Sequence, residues 1–141
     1  ETDGRLFLHV FAHTRYAYPF EVQGESDWMS RHFFTGGMMP SHELVDALDV
    51  PFETEARWRV SGVHYARTSE HWLENLDARR KEVLAIFRET YGEGEAERWF
   101  QRWRVFFLSC AELFAWEGGT QWHVTHQLLR PAPVAAAEVV Q

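Results

Sequence analysis

Eight histidines, one cysteine and an unusual load of aromatic rings are the residues in this chain with chemical reach. A metal ion needs ligands brought to one point. His9 and His13 lie at the end of a strand-like run, so they share no helix face. His123 and His126 sit on an alternating stretch and point to opposite sides of it. The spacing therefore favours structural or surface histidines and no metal. Cys110 falls in an apolar helical stripe with nothing beside it to lower its pKa, the pattern of an inert buried thiol. Glu112 adjoins that stripe and reads two ways, as a solvent-facing carboxylate or as a buried one at a pocket. No G-x-G-x-x-G follows a strand and no G-x-x-x-x-G-K-[ST] occurs. Aromatics make up 16% of the chain, with 7 Trp, 11 Phe and 4 Tyr. Such a load means either a ring-packed core or a large apolar pocket holding a few polar groups.

These groups need elements to hold them. The run Leu6–Phe11 is continuously apolar, which predicts a strand buried on both faces in a parallel sheet. An aromatic loop follows through His13, Tyr16, Tyr18 and Phe20, where Pro19 cannot donate to a ladder. Ser26 and Asp27 read as the cap of a short helix reaching Phe33 or Phe34. Gly36-Gly37 and Pro40 break it, and Ser41 then caps a second helix with Leu44, Val45 and Leu48 on one face. From Phe52 to Val60 the pattern alternates, with Phe52, Ala56, Trp58 and Val60 on one face and Glu53, Glu55, Arg57 and Arg59 on the other. A long helix runs through Tyr65, Trp72, Leu76, Leu84 and Tyr91, capped at Thr68 or Ser69 and ended by Gly92. Another carries Ala96, Phe100, Trp103, Phe106, Cys110 and Phe114 and ends at Gly118-Gly119. The alternation from Trp122 to Leu128 gives a last strand. It pairs antiparallel with the Phe52–Val60 strand, with the long helices inserted between them. Residues 1–130 form one unit, and 131–141 a frayed Ala/Val/Pro-rich tail.

The length of 141 residues suits one domain, and 45% hydrophobic residues can fill a core. A formal net charge of −7 argues against nucleic-acid binding. No apolar run approaches the ~18–20 residues of a membrane span. A single cysteine rules out an internal disulfide framework and fits a reducing compartment. With no leader-like start, the expected location is the cytoplasm. A parallel strand with few neighbours implies a piece of a larger protein.

Several stretches, in order, resemble the C-terminal half of the cyclopropane-fatty-acyl-phospholipid synthase family. They are LFLHVFAH at Leu6–His13, FFTGGMMPS at Phe33–Ser41, VHYARTSEHWLENLD at Val63–Asp77, FFLSCAELF at Phe106–Phe114 and QWHVTHQLL at Gln121–Leu129. The family comprises S-adenosylmethionine-dependent methyltransferases, among them mycolic acid cyclopropane synthases and coclaurine-type amine N-methyltransferases. The resemblance implies an α/β fold, the C-terminal portion of a Rossmann-like class I methyltransferase ending in an antiparallel strand pair with inserted long helices. It also implies that the cofactor's glycine loop, the ribose-binding acid and a Glu-His motif lie in a complementary N-terminal half, so this chain alone would be inactive.

Three positions carry over by resemblance. His9 matches the histidine of the strand end, Phe11 the residue two further on, and Tyr65 the tyrosine of the H-Y-x-x-T motif. In lipid-modifying members these help hold a bicarbonate ion that acts as base, which makes His9 and Tyr65 the catalytic candidates. Thr35, where lipid members usually have Pro, and the runs through His9, Phe11, His13, Tyr18, Phe20 and Glu21 look closer to the amine branch. The expected acceptor site uses Phe11, Tyr16, Tyr18, Phe34, Tyr65, Phe106 and Glu112 to bind a small or medium hydrophobic amine. Two alternatives stand beside it. One is methyl transfer to unsaturated acyl chains of phospholipid. The other is a non-catalytic piece that binds a hydrophobic ligand or a partner chain, its open sheet edge favouring association with that chain or with a second copy.

Overall fold

The computed structural model describes residues 3–132. Its centre is a three-stranded antiparallel sheet in the order β1-β5-β4, made of β1 (Leu6–His13), β5 (Trp122–Pro131) and β4 (Phe52–Val60). Three helices connect β4 to β5: α2 (Gly62–Ala78), α3 (Arg80–Tyr91) and α4 (Ala96–Gly119). The expected pairing of the middle and last strands, with long helices between them, is what the chain adopts. The segment joining β1 to β4 holds a two-residue ladder of β2 (Tyr18–Pro19) with β3 (Met38–Met39) and a one-turn helix α1 (Trp28–His32).

β1 differs from its sequence reading. It is an edge of the described sheet and pairs antiparallel with β5, from Leu6↔Leu129 to His13↔Trp122. Ala12 and His13 are buried, but Leu6 and Phe7 remain 39% and 54% exposed. The apolar run does form a strand, but only its C-terminal end finds cover among the described residues.

β4 carries a bulge between Thr54 and Ala56. The extra residue reverses the pleat, so Phe52 and Thr54 share the face of Pro131 and Leu129, while Ala56, Trp58 and Val60 share that of Leu128, His126 and Val124. Phe52 therefore does not lie with Ala56, and Glu53 moves to Ala56's side, where it pairs with Arg130 at 2.9 Å. Simple alternation across the bulge could not show this.

Other boundaries shift for local reasons. The long helix expected through Tyr91 is two helices that break at Arg79. Its cap is Ser61, whose hydroxyl accepts from the Val63 N–H at 3.4 Å. Thr68 and Ser69 lie inside α2 and donate to the carbonyls of His64 and Tyr65. Ser41 caps no α-helix; it bridges to His13, and only a 3-10 turn, Leu44–Ala47, follows. Asp27 occupies the position before α1, but its carboxylate turns back to accept from the N–H groups of Gln23 and Gly24 at 2.8 and 2.9 Å. Pro131 is the last residue of β5, paired with Phe52, so the ordered chain runs past the expected start of the tail. Ala132 follows, its N–H donating to the Pro51 carbonyl at 3.0 Å, and residues 133–141 lie outside the described residues.

The helices close onto the sheet at a junction of two glycines. A Cβ on Gly62 would sit 2.2 Å from the Trp122 carbonyl oxygen and 2.3 Å from that of Phe114. One on Gly119, already at φ +76°, would sit 2.5 Å from the Val63 nitrogen. Both collisions are with backbone, which cannot swing aside. Gly62→Ala is expected to destabilise the fold by about 2–4 kcal/mol in urea or thermal unfolding. Gly94→Ala, with open space around the position, is the matched control and should shift stability by less than about 1 kcal/mol.

Candidate functional site

A cavity of about 250 Å³ opens between β1, the segment of residues 18–39, and helices α2 and α4. β1 contributes Phe11, and the connecting segment contributes Tyr18, Phe20, Met29, Phe34 and Met39. Tyr65 comes from α2, and Phe106, Cys110, Leu113 and Phe114 from α4. The α4 residues fall at helical spacing on one stripe, so a single helix face paves one wall. Rings meet around the space: Tyr65 lies edge-on to Phe114 with centroids 4.4 Å apart, and Phe20 stacks on Phe34 at 4.9 Å. Phe34 reaches Phe106 at 5.5 Å and Phe11 at 6.1 Å.

The polar atoms on this wall are the hydroxyls of Tyr18 and Tyr65 and the Cys110 thiol. Burial pushes the Cys110 thiol up to about 11. Burial, and then the neighbouring Cys110, raises the Tyr65 phenol. Both are neutral at pH 7, and among the described residues no carboxylate, lysine, arginine or histidine lines the cavity.

The loop carrying Tyr18 is fixed by His13. Its Nδ1 accepts from the N–H groups of Arg15 and Tyr16 at 3.0 and 2.9 Å. Burial, and then Arg15, lower its pKa, which keeps the ring neutral and able to accept. Of the residues anticipated for the site, Phe11, Tyr18, Phe34, Tyr65 and Phe106 are brought together on the cavity wall. His9 is not among them. It is exposed on the same face as Phe11, two ladder pairs further along, with its Nδ1 2.8 Å from His126 Nε2. Tyr16 is 59% exposed and stacks on the His13 ring outside the wall. Glu112 is exposed and lines a separate groove with Ser109 and Trp116, so the solvent-facing alternative holds for it. Cys110, Leu113 and Phe114 were visible in the sequence as a core stripe, and their spacing relative to Phe106 could have assigned them to the wall. Met29 and Met39 carried no signal, because only tertiary folding brings the connecting segment over β1.

The opposite face of β5 is polar and buried. His123, Thr125 and Gln127 are all but inaccessible, and His123 Nε2 lies 3.0 Å from His42 Nδ1. Burial, followed by the positive charge of Arg59, pushes His123 down to about 4. Among the described residues no group of three or more His, Cys, Asp or Glu side chains could hold a metal ion.

The fold is that of the C-terminal portion of a class I methyltransferase. A solved structure of coclaurine N-methyltransferase bound to N-methylheliamine and SAH superposes on 92% of this chain and 40% of its own length, with TM-score 0.80 and 32% identity. The cyclopropane synthase MmaA2 from Mycobacterium tuberculosis superposes over 92% of this chain and 45% of its own, with TM-score 0.67 and 24% identity, a likeness of fold. The chain belongs to the mycolic acid cyclopropane synthetase family, whose model matches residues 1–124. (S)-coclaurine N-methyltransferase of Papaver somniferum is 33% identical over 131 residues, covering 91% of this chain. The chain spans 37% of the length of that relative.

A glycine turn between a strand and a helix is the usual cradle for the phosphates or ribose of a nucleotide cofactor. Gly62 is the one glycine that follows a strand and opens a helix, where a cofactor cradle would form. There the Trp122 and Phe114 carbonyl oxygens fill the space a ligand would need.

His123 gives a pH test of the polar face. Its folded pKa lies below the ordinary 6.5, so between those values the unfolded chain binds more protons. Stability is full above about pH 6.5 and falls as pH drops toward about 4. Urea unfolding across this range should show a loss of about 1–3 kcal/mol, with a shallower slope in His123→Gln.

Proposed function

We propose that this chain forms the acceptor-binding side of an S-adenosylmethionine-dependent methyltransferase that acts on a hydrophobic amine. The observation that carries the reading is a ring-lined cavity to which the described residues bring no charged side chain. The donor, held by residues other than those described, supplies an electrophilic methyl group. What this chain supplies is the acceptor's surroundings. Its rings exclude water from the amine lone pair, and the ring faces favour the more substituted ammonium that results, each worth about 0.5–2 kcal/mol. The likeness to coclaurine and pavine N-methyltransferases supports the choice of an amine. Because Tyr65 and Cys110 are both held neutral, the wall offers no base at pH 7. The amine enters uncharged or gives up its proton to a group off this wall.

A second reading follows from His9, which continues the Phe11 face beyond the cavity. There His9 and Tyr65 would hold bicarbonate as the base for methyl transfer to an unsaturated acyl chain. The two readings separate in one assay. The full-length gene product, incubated with labelled S-adenosylmethionine, is expected to methylate hydrophobic amines and to do so equally well in bicarbonate-depleted buffer. Label appearing only in unsaturated phospholipid, with loss on bicarbonate depletion and in Tyr65→Phe, reverses the choice. On the amine reading Phe34→Ala raises the amine's KM about 10-fold, through lost ring contact and a wetter cavity.

A further inference from the structure

The Tyr18 hydroxyl differs from every other polar atom on the cavity wall: its oxygen is already engaged. Trp122 Nε1 donates to it at 3.2 Å. An indole N–H can only donate, so this bond occupies an acceptor position of the phenol and leaves the phenolic proton uncommitted. A phenolic O–H favours the ring plane and turns away from a donor that approaches its oxygen, and among the described residues no group accepts that proton. Both partners are held in place. Tyr18 is fixed by the β2–β3 ladder opposite Met39 and lies edge-on to Phe20 at 6.1 Å. Trp122 opens β5 opposite His13 and lies edge-on to the His13 ring at 5.1 Å. The outcome is an oriented donor on a wall whose other polar groups are the Tyr65 hydroxyl and the Cys110 thiol, neither of which is held by a side-chain partner among the described residues.

We propose that Tyr18 is a specificity-determining hydrogen-bond donor, with Trp122 as its positioning residue, and that the cavity selects amines bearing an oxygen substituent on their hydrophobic ring. This rests on the acceptor-site reading above. An O–H left unpaired in a dry cavity is costly, so an ether or phenol oxygen in reach gains what an unsubstituted ring loses. One neutral hydrogen bond corresponds to about a 5- to 10-fold preference.

The test uses the full-length gene product with phenethylamine and its para-methoxy counterpart. The ratio of kcat/KM values should favour the methoxy amine about 5- to 10-fold, mainly through KM. Tyr18→Phe should bring the ratio close to one. Trp122→Phe should lower it too, and the double variant should fall no lower than Tyr18→Phe alone, since the indole acts only through the phenol. A purely structural role would lower both amines' rates and leave the ratio intact. Affinities for the same two amines, titrated by intrinsic fluorescence, give a readout that needs no turnover. Methyl transfer without a preference overturns this inference and leaves the methyltransferase reading standing. A binding preference abolished by Tyr18→Phe, without turnover on any acceptor, supports this inference and overturns the other. A preference that survives Tyr18→Phe, or no binding of either amine, overturns it.

Discussion

Two backbone segments touch where Gly62 and Gly119 cross, and the remaining architecture depends on that contact. One begins the helical insertion and the other ends it, and the space between them excludes even a methyl group. A chain that leaves a sheet for three helices and returns pays loop-closure entropy over the whole excursion. Pinning its two ends together at the start of β5 sets where α2 and α4 stand. It thereby sets where Tyr65, Phe106 and Phe114 stand relative to Phe11. The left-handed turn through Glu117, Gly118 and Gly119 makes the return possible without lengthening the connection.

The cavity follows from this geometry and from the segment between β1 and β4. That segment has little regular structure, and it is held by a two-residue ladder, by His13 accepting two N–H groups, and by ring contacts. None of these restraints is strong alone. Together they place Tyr18, Phe20 and Phe34 over a strand face that would otherwise be wet. β5 separates two environments, an aromatic one toward the helices and a buried polar one toward His42.

The strand pair and the long helices were legible because each has a period that survives in the sequence, whereas the class of the fold came from the resemblance of five ordered segments to a known family. Phe106 to Phe114 announced a helix face, and Trp122 to Leu128 a strand. What escaped was set by single residues or by tertiary partners. The bulge at Glu55 swaps Phe52 and Glu53 between faces, and alternation alone cannot locate one extra residue. Ser41 and Asp27 have the right chemistry for caps, yet their partners are a neighbouring strand and the preceding loop. The wall residues that could be anticipated were aromatic. The two methionines were not, since nothing in their neighbourhood says which way the connecting segment folds. The exposure of Glu112 is likewise a matter of helix phase relative to Trp116 and Trp122.

The bulge in β4 also divides that strand into halves of unequal tolerance. Residues 52–54 lead away from the insertion, so gaining or losing one residue there would be taken up by the irregularity already present. Residues 56–60 lead directly to Ser61 and Gly62. A one-residue deletion in that second half would turn the start of α2 to the opposite side of the sheet and carry Tyr65 with it. Length variation along this strand is therefore cheap before residue 55 and ruinous after it.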